Sequence, residues 1–356
     1  MNGAAQRYAS VDALRGLTVA AMLLVNNPGD WGHVYAPLLH ASWHGCTPTD
    51  LIFPFFLFVV GVSIALGLVP RLERGGDARA LHRSILSRGL RIIALGLLLH
   101  LAAWWAFDMA HYRIPGVLQR IGLCFLAAAP LALHLRPRAQ WLLIAALLLG
   151  WWLLLAAGDS YARYANLADR IDTALLAPWL YDFDAASGRG HDPEGLPATL
   201  PAIATVLLGV RAGAWLRGGQ LRALVSAGLA MLALGWLWSL AMPINKAVWT
   251  SSYVLWSAGW AALALVLAHL LIDRRGWPAI GRSFGVNAIA AYAGSALMVY
   301  GLAGIGAWSA IYRHGFAWMT PSADPRLPSL LFALAFVALW WGIVRWMDRR
   351  GWILKI

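Results

Sequence analysis

An all-α polytopic membrane protein of about ten transmembrane helices, with N-terminus and C-terminus cytoplasmic, is the fold this sequence predicts. Three observations carry it. Of the 356 residues, 60% are hydrophobic and 12% charged, with 21 tryptophans, against roughly 45–50% apolar residues in soluble domains. Predominantly apolar windows of about 20 residues, the length that crosses a hydrocarbon core, recur along the whole chain. Lys and Arg then alternate in abundance between successive connecting segments.

The spans are expected near 11–27, 50–69, 89–106, 115–134, 139–157, 197–216, 221–242, 250–272, 284–304 and 328–347. The first ends at Asn26-Asn27-Pro28, an ordinary helix stop. The second begins at Thr47-Pro48-Thr49-Asp50, a Thr-x-x-Asp pattern with proline at the first helical position, which marks a capped start. A basic stretch from Arg71 to Arg91 leads into the third, and Asp108, His111 and Arg113 lie between the third and fourth. Before the sixth comes a long segment, Gly158 to Pro197, rich in Asp, Gly and Pro and ending in HDPEGLPATLP. Asn245 and Lys246 close the seventh. The chain, 1–356, is expected to be a single transmembrane domain with this periplasmic loop at about 158–197, the only one large enough to act as a lid.

With the N-terminus cytoplasmic, 20 of the 28 Lys and Arg residues, among them Arg7, Arg15 and Lys355, fall in cytoplasmic segments and 8 on the far side. That bias sets the orientation and requires an even number of helices. The net charge of +12 is therefore a topological signal, and nucleic acid is not expected as a partner. Cys46 and Cys124 have no CxxC spacing, so neither a disulfide framework nor a metal site follows. Arg7 and Asp12 precede the first apolar run, which ends without a small-residue cleavage pattern, so no cleavable signal peptide is expected.

The chemically capable residues gather on the far side. In HASWHGCTPTD, Asp50 has a structural explanation as a capping acid favoured by the helix dipole, and Trp31, Tyr35 and Trp43 have one as interfacial aromatics. Taken together, His40, His44, Asp50 and Trp43 also supply an imidazole, a carboxylate to orient it, a second imidazole and an aromatic platform. That is a set for general-base or nucleophilic work on a polar, sugar-like substrate. Asn26 and Asn27 end a helix, and an amide there also suits a carbonyl oxygen in a transition state. Asp192 and Glu194 read equally as capping acids of a solvated loop or as substrate ligands. Asp12 and Arg15, spaced i, i+3, read as a structural ion pair, or Arg15 helps receive an anionic cytoplasmic ligand.

The strings SVDALRGLTVAAMLLVNNPG, LLHASWHGCTPTDLIFPFFLFVVGVSIALG, RIPGVLQRIGLCF, HDPEGLPATLPAIATVLLGVRAG, MPINKAVWTSSYVLWSAG and GVNAIAAY resemble the heparan-α-glucosaminide N-acetyltransferase family and its bacterial relatives. The resemblance runs from about residue 7 to residue 300. It implies a multi-helix membrane domain that takes acetyl-CoA, the acyl donor, from the cytoplasmic side and passes the acetyl group to the amine of a glucosamine on the far side, with no metal. The family's active-site histidine falls on His40 and the aspartate ten residues later on Asp50. The asparagine after the first helix falls on Asn26, with Asn27 as the alternative and a further candidate for donor contact. Arg113 and Arg120 match the two arginines of the RIPGVLQR string and, with Arg15, are the candidate donor-binding cations. Asn245 and Lys246 match a PxNK string and join Trp43, His44, Asp192 and Glu194 as candidate acceptor ligands. Compact bacterial members are the nearer likeness, which implies a multi-pass protein of the bacterial inner membrane, an amino-sugar or glycan acceptor, and a homodimer. A different class, an amino-sugar transporter using the same polar cluster with Asp50 as proton carrier, is the alternative, although the two halves show no matched motif echoes.

Overall fold

The computed structural model describes residues 8–320 and 324–354, so Arg7 and Lys355 lie outside the described residues. α1 (Ala9–Asn26) crosses once and stops at Asn27. A 3-10 turn, Pro48–Leu51, leads into α2 (Ile52–Gly67), which continues as a short α3 (Val69–Glu73) with Pro70 in its first turn. α4 (Ala78–Ala106), α5 (Val117–His134) and α6 (Pro137–Ala156) follow. The long connection carries α7 (Leu167–Leu176) and a hairpin of β1 (Asp182–Asp184) and β2 (Arg189–His191), paired antiparallel with Asp182 opposite His191. Then come α8 (Thr199–Arg217), α9 (Leu221–Trp238) and α10 (Ser251–Ala268), the last extended by a π-helical turn to Arg274. α11 (Arg282–Val286), α12 (Ala288–Gly304), α13 (Ala307–Gly315) and α14 (Arg326–Arg349) complete the chain.

Among the described residues, 9 helical stretches are long and apolar enough to cross a membrane, and α12 with its continuation through Met319, bent by 89°, makes up to 10. Ser10 at the start of α1 meets Asp273 in the extension of α10, Arg282 at the start of α11 meets Asp348 near the end of α14, and Leu354 meets Asn287, so both ends of the described chain lie at the same end of the bundle. The ends of α1, α4, α6, α9 and α12 and the starts of α2, α5, α8, α10 and α14 share the other.

Two local expectations differ. The third span was expected from residue 89, with its arginines in a loop, but α4 is 29 residues long and begins at Ala78. Asp77 accepts from the Arg79 backbone N–H at 2.9 Å and so caps the helix, and nothing between Ala78 and Arg91 breaks it. At 1.5 Å per residue it spans about 43 Å, well beyond a hydrocarbon core of about 30 Å, so Arg79, Arg83 and Arg88 sit on helix rather than loop. The 158–197 segment, expected as a loop, is a folded subdomain.

α8 is the central helix, with 72% of its most apolar 18-residue stretch buried, whereas the corresponding stretches of α9, α6 and α4 are 22%, 28% and 28% buried and face outward. Glycine permits its close packing on α2. A Cβ on Gly61 would stand 1.9 Å from the Val206 carbonyl oxygen, and one on Gly209 2.0 Å from that of Phe58. In lipid, where burial gives helices little reason to associate, backbone contact of this kind supplies the van der Waals attraction.

Candidate functional site

A cavity of about 360 Å³ opens at the end of the bundle where α1 finishes and α2 begins, walled by Asn26, His40, Trp43, Asp50, Arg113, Arg163, Tyr181, His191, Glu194, Lys246 and Tyr292 among others. Its centre is built by the start of α2. Thr47 is extended (φ −90°, ψ 169°) and Pro48 takes the first helical position, where its missing N–H would be unsatisfied anyway. Asp50, 1% exposed, divides its two oxygens. Oδ2 accepts from the backbone N–H of Thr47 at 2.9 Å and of Ala41 at 3.0 Å, and from the Thr47 hydroxyl at 3.1 Å. Oδ1 lies 2.7 Å from His40 Nδ1. An ionised carboxylate only accepts, so His40 is held in the tautomer that donates from Nδ1 and carries its lone pair on Nε2. The Tyr253 hydroxyl donates to the Asp50 carbonyl at 2.6 Å, fixing the backbone from below.

Lys246 Nζ stands 3.2 Å from His40 Nδ1, 3.3 Å from Nε2 and 3.9 Å from Asp50 Oδ1. A point in the ring plane at equal distance from both nitrogens would collide with Cε1, so the ammonium lies over the ring face. The in-plane lone pair of Nε2 is left to the cavity. Burial pushes the Lys246 ammonium below the usual lysine range, against the pull of Glu194 and Asp50. Its place is set by Asn245, which is fully buried. Asn245 Oδ1 accepts from the Val248 N–H at 2.9 Å, and its own N–H donates to the Thr250 hydroxyl at 3.0 Å.

The subdomain forms the opposing wall. Arg113 donates from Nε to Asp192 Oδ2 at 2.9 Å, from Nη2 to Asp192 Oδ1 at 2.6 Å, and from Nη2 to Glu194 Oε2 at 2.6 Å. Burial works against that charge, but the two carboxylates outweigh it and raise the guanidinium above its ordinary range. Burial likewise opposes Asp192, whose carboxyl Arg113 holds below the ordinary carboxylate range. Asp192 also accepts from the Tyr181 and Glu194 backbone N–H groups, both at 2.9 Å. Trp43 donates from Nε1 to the Tyr161 carbonyl at 2.8 Å and sets its ring 5.0 Å from that of His191, edge on. Burial pushes the thiol of Cys46, four residues before Asp50, up to about 12.

The structure thus brings Asn26, His40, Trp43, Asp50, Arg113, Glu194 and Lys246 to one cavity. The other candidates stand elsewhere. Asn27 donates its amide to the Leu23 carbonyl at 2.7 Å and does not line the cavity. His44 pairs with the Asn245 amide at 3.2 Å, and burial lowers it from the usual imidazole range. Asp192, fully committed to Arg113 and two backbone groups, has no oxygen left for a ligand. Arg120, 1% exposed, donates to the Gly195 carbonyl at 2.9 Å behind the wall and lies under the Trp249 ring. Arg15 is at the opposite end of α1, bound to Asp12 at 2.7 Å and to the Gly285 carbonyl at 3.1 Å. Arg113 and Arg120, candidates for donor contact, stand at the His40 end of the bundle because the RIPG string enters α5 there. Arg163, Tyr181 and Tyr292 also line the cavity and carry no sequence signal, whereas His191 stands among the chemically capable residues of the 158–197 segment. His191 heads the HDPEG string, and that was its one visible signal.

This arrangement defines a class: an all-α polytopic membrane protein with a histidine–carboxylate pair in a polar cavity at one end of the bundle. Residues 7–241 match the profile of the family described as heparan-alpha-glucosaminide N-acetyltransferase, catalytic. The human heparan-alpha-glucosaminide N-acetyltransferase is 30% identical over 354 residues, covering 81% of this chain and 52% of the relative. The mouse protein of the same name is 29% identical over 355 residues, covering 82% and 53%. The chain belongs to this family, and it spans about half the length of the curated relatives it matches.

Proposed function

We propose that this protein is a transmembrane acetyltransferase that moves the acetyl group of acetyl-CoA to the amine of an amino sugar or related glycan at the His40 end of the bundle. The observation that carries this reading is the 2.7 Å contact of His40 Nδ1 with Asp50 Oδ1, which leaves a basic Nε2 in the cavity. In direct transfer the amine attacks the thioester carbonyl, the C–N bond forms and the C–S bond breaks. His40 Nε2 takes a proton from the attacking nitrogen and delivers it to the leaving thiolate. In the stepwise form Nε2 itself carries the acetyl group between thiol and amine. Asp50 offsets the charge on the ring in either case. The Asn26 amide and the Lys246 ammonium serve the carbonyl oxygen as it gains charge, and Trp43 supplies a face for the sugar ring. Asn245 builds the Lys246 turn, while Arg113 with Asp192 and Glu194 holds the wall.

The basic-rich end of the bundle is taken as cytoplasmic, in a bacterial inner membrane, and receives the donor's phosphates. Arg15, Arg71 and Arg74 lie there, the last two around a shallow open depression with Asp77 and Ser84. The test is CoA release by the purified protein in detergent, with acetyl-CoA and glucosamine and no membrane gradient. His40→Ala is expected to abolish it, and undiminished transfer by a folded His40→Ala protein rules the scheme out. An adduct of about 42 Da on His40 selects the stepwise form. Uptake of unmodified sugar without CoA release supports the transporter reading instead.

A further inference from the structure

We infer that His191, backed by Asp169, is a second proton acceptor of this cavity, serving the ammonium of the acceptor; the inference rests on the acetyltransferase reading above. His191 ends β2, and its Nδ1 lies 2.7 Å from Asp169 Oδ1. Asp169 is itself locked, its Oδ2 accepting from the Tyr164 backbone N–H and the Asn166 amide, both at 2.7 Å. The pair is 3% and 2% exposed. The construction repeats that of His40 and Asp50: a buried carboxylate holds Nδ1, and Nε2 is left as the acceptor. Nε2 of His191 makes no hydrogen bond among the described residues, yet it is not among the buried polar atoms sealed from space, and the ring lines the cavity. An unpartnered imidazole nitrogen at the wall of a polar cavity is there to meet a ligand.

Stoichiometry says what it meets. R–NH3+ and CoA–S–CO–CH3 yield R–NH–CO–CH3, CoA–SH and H+, so the nitrogen gives up two protons while one C–N bond forms and one C–S bond breaks. One proton follows the electron pair to sulphur, and His40 carries it. The other must leave before attack, because an ammonium nitrogen has no lone pair. His191 Nε2 accepts that proton, Asp169 offsets the imidazolium charge, and the proton then passes to solvent. The neighbouring groups are poorly suited to this step. Glu194 offers a carboxylate, a weaker base than a neutral imidazole, and is already paired with Arg113 at 2.6 Å, while the Lys246 amine stands over the His40 ring at 3.2 and 3.3 Å.

The experiment compares two acceptors at neutral pH with protein purified in detergent. Glucosamine is largely an ammonium there, and hydroxylamine is largely the free base. His191→Gln is expected to lower kcat/KM for glucosamine by about 5- to 10-fold at pH 7, roughly the ratio of ammonium to free amine for an amine of this kind, and to leave transfer to hydroxylamine nearly unchanged once the uncatalysed reaction is subtracted. His191→Asn, which keeps an amide toward Asp169, is scored in the same way, and thermal midpoints report the fold. Equal losses with both acceptors show a merely structural role and overturn the inference, as does full activity with glucosamine. Wild-type protein that releases no CoA with either acceptor overturns the acetyltransferase reading and this inference with it.

Discussion

At the residue scale, Asp50 joins helix physics to chemistry through separate oxygens, and this separation is open to experiment. Thr47→Ala removes a hydroxyl that meets Oδ2 and the Leu39 carbonyl but leaves Oδ1 and His40 in place. It is expected to cost about 1 kcal/mol of stability, as a lost cap does, with transfer intact. Asp50→Asn keeps the shape of the cap but replaces the acceptor-only carboxylate that fixes the His40 tautomer. A fall in kcat of roughly 10²- to 10⁴-fold is expected. Steady-state CoA release and thermal unfolding of both variants separate the roles, and the scheme is wrong if Asp50→Asn costs only stability. His40 and Asp50 were legible in the sequence because eleven residues of one helix entrance contain both. The pairing of His191 was not, because its partner Asp169 lies 22 residues earlier and only the folding of the subdomain brings them together.

At the scale of elements, the 158–197 segment reads in sequence as a loop whose acids either cap helices or bind substrate, and it is instead a wall in which nearly every acid is committed. Asp192 and Glu194 meet Arg113 across 79 and 81 residues of chain. No local pattern announces such a triad, since its members are chosen by packing. Asp172 on α7 shows the same burial in its titration. Its Oδ1 accepts from the Leu196 N–H at 2.9 Å, and burial raises its carboxyl from the ordinary 3.8 to about 7. A raised folded-state value means that the folded protein favours the protonated form. The stability it contributes is therefore full below the ordinary carboxylate range and is lost as pH rises through about 7. Asp172→Asn stays neutral, so its thermal midpoint should gain on wild type as pH rises from about 4 to about 8. A gap between the two that stays constant over that range contradicts the assignment.

At the scale of the whole molecule, α8 anchors the bundle through backbone contact with α2, and the site hangs from the start of both helices. Gly209→Leu places a side chain where even a Cβ would meet Phe58 O at 2.0 Å. Separation of the helices, loss of folded protein in detergent and loss of CoA release are expected together. Gly150→Ala on the outward-facing α6, where nothing lies within 4 Å of the added carbon, should be neutral or gain up to about 1 kcal/mol from helix propensity. Size-exclusion profiles and thermal midpoints of the two variants check this, and tolerance of leucine at 209 defeats the packing account.

The sequence by itself determined that the chain crosses a membrane with apolar helices, which family it resembles, and that a histidine stands just ahead of a capped, acid-bearing helix start. Apolar length, helix stops and caps are properties of neighbours along the chain, so they can be read there. Tertiary structure alone decided that Asp50 Oδ1 faces His40, that Asp192 and Glu194 are bound by Arg113, and that His191 rests on Asp169. The physical reason is that a charge removed from water takes its partner from whatever packs against it, and those partners come from segments far apart in sequence.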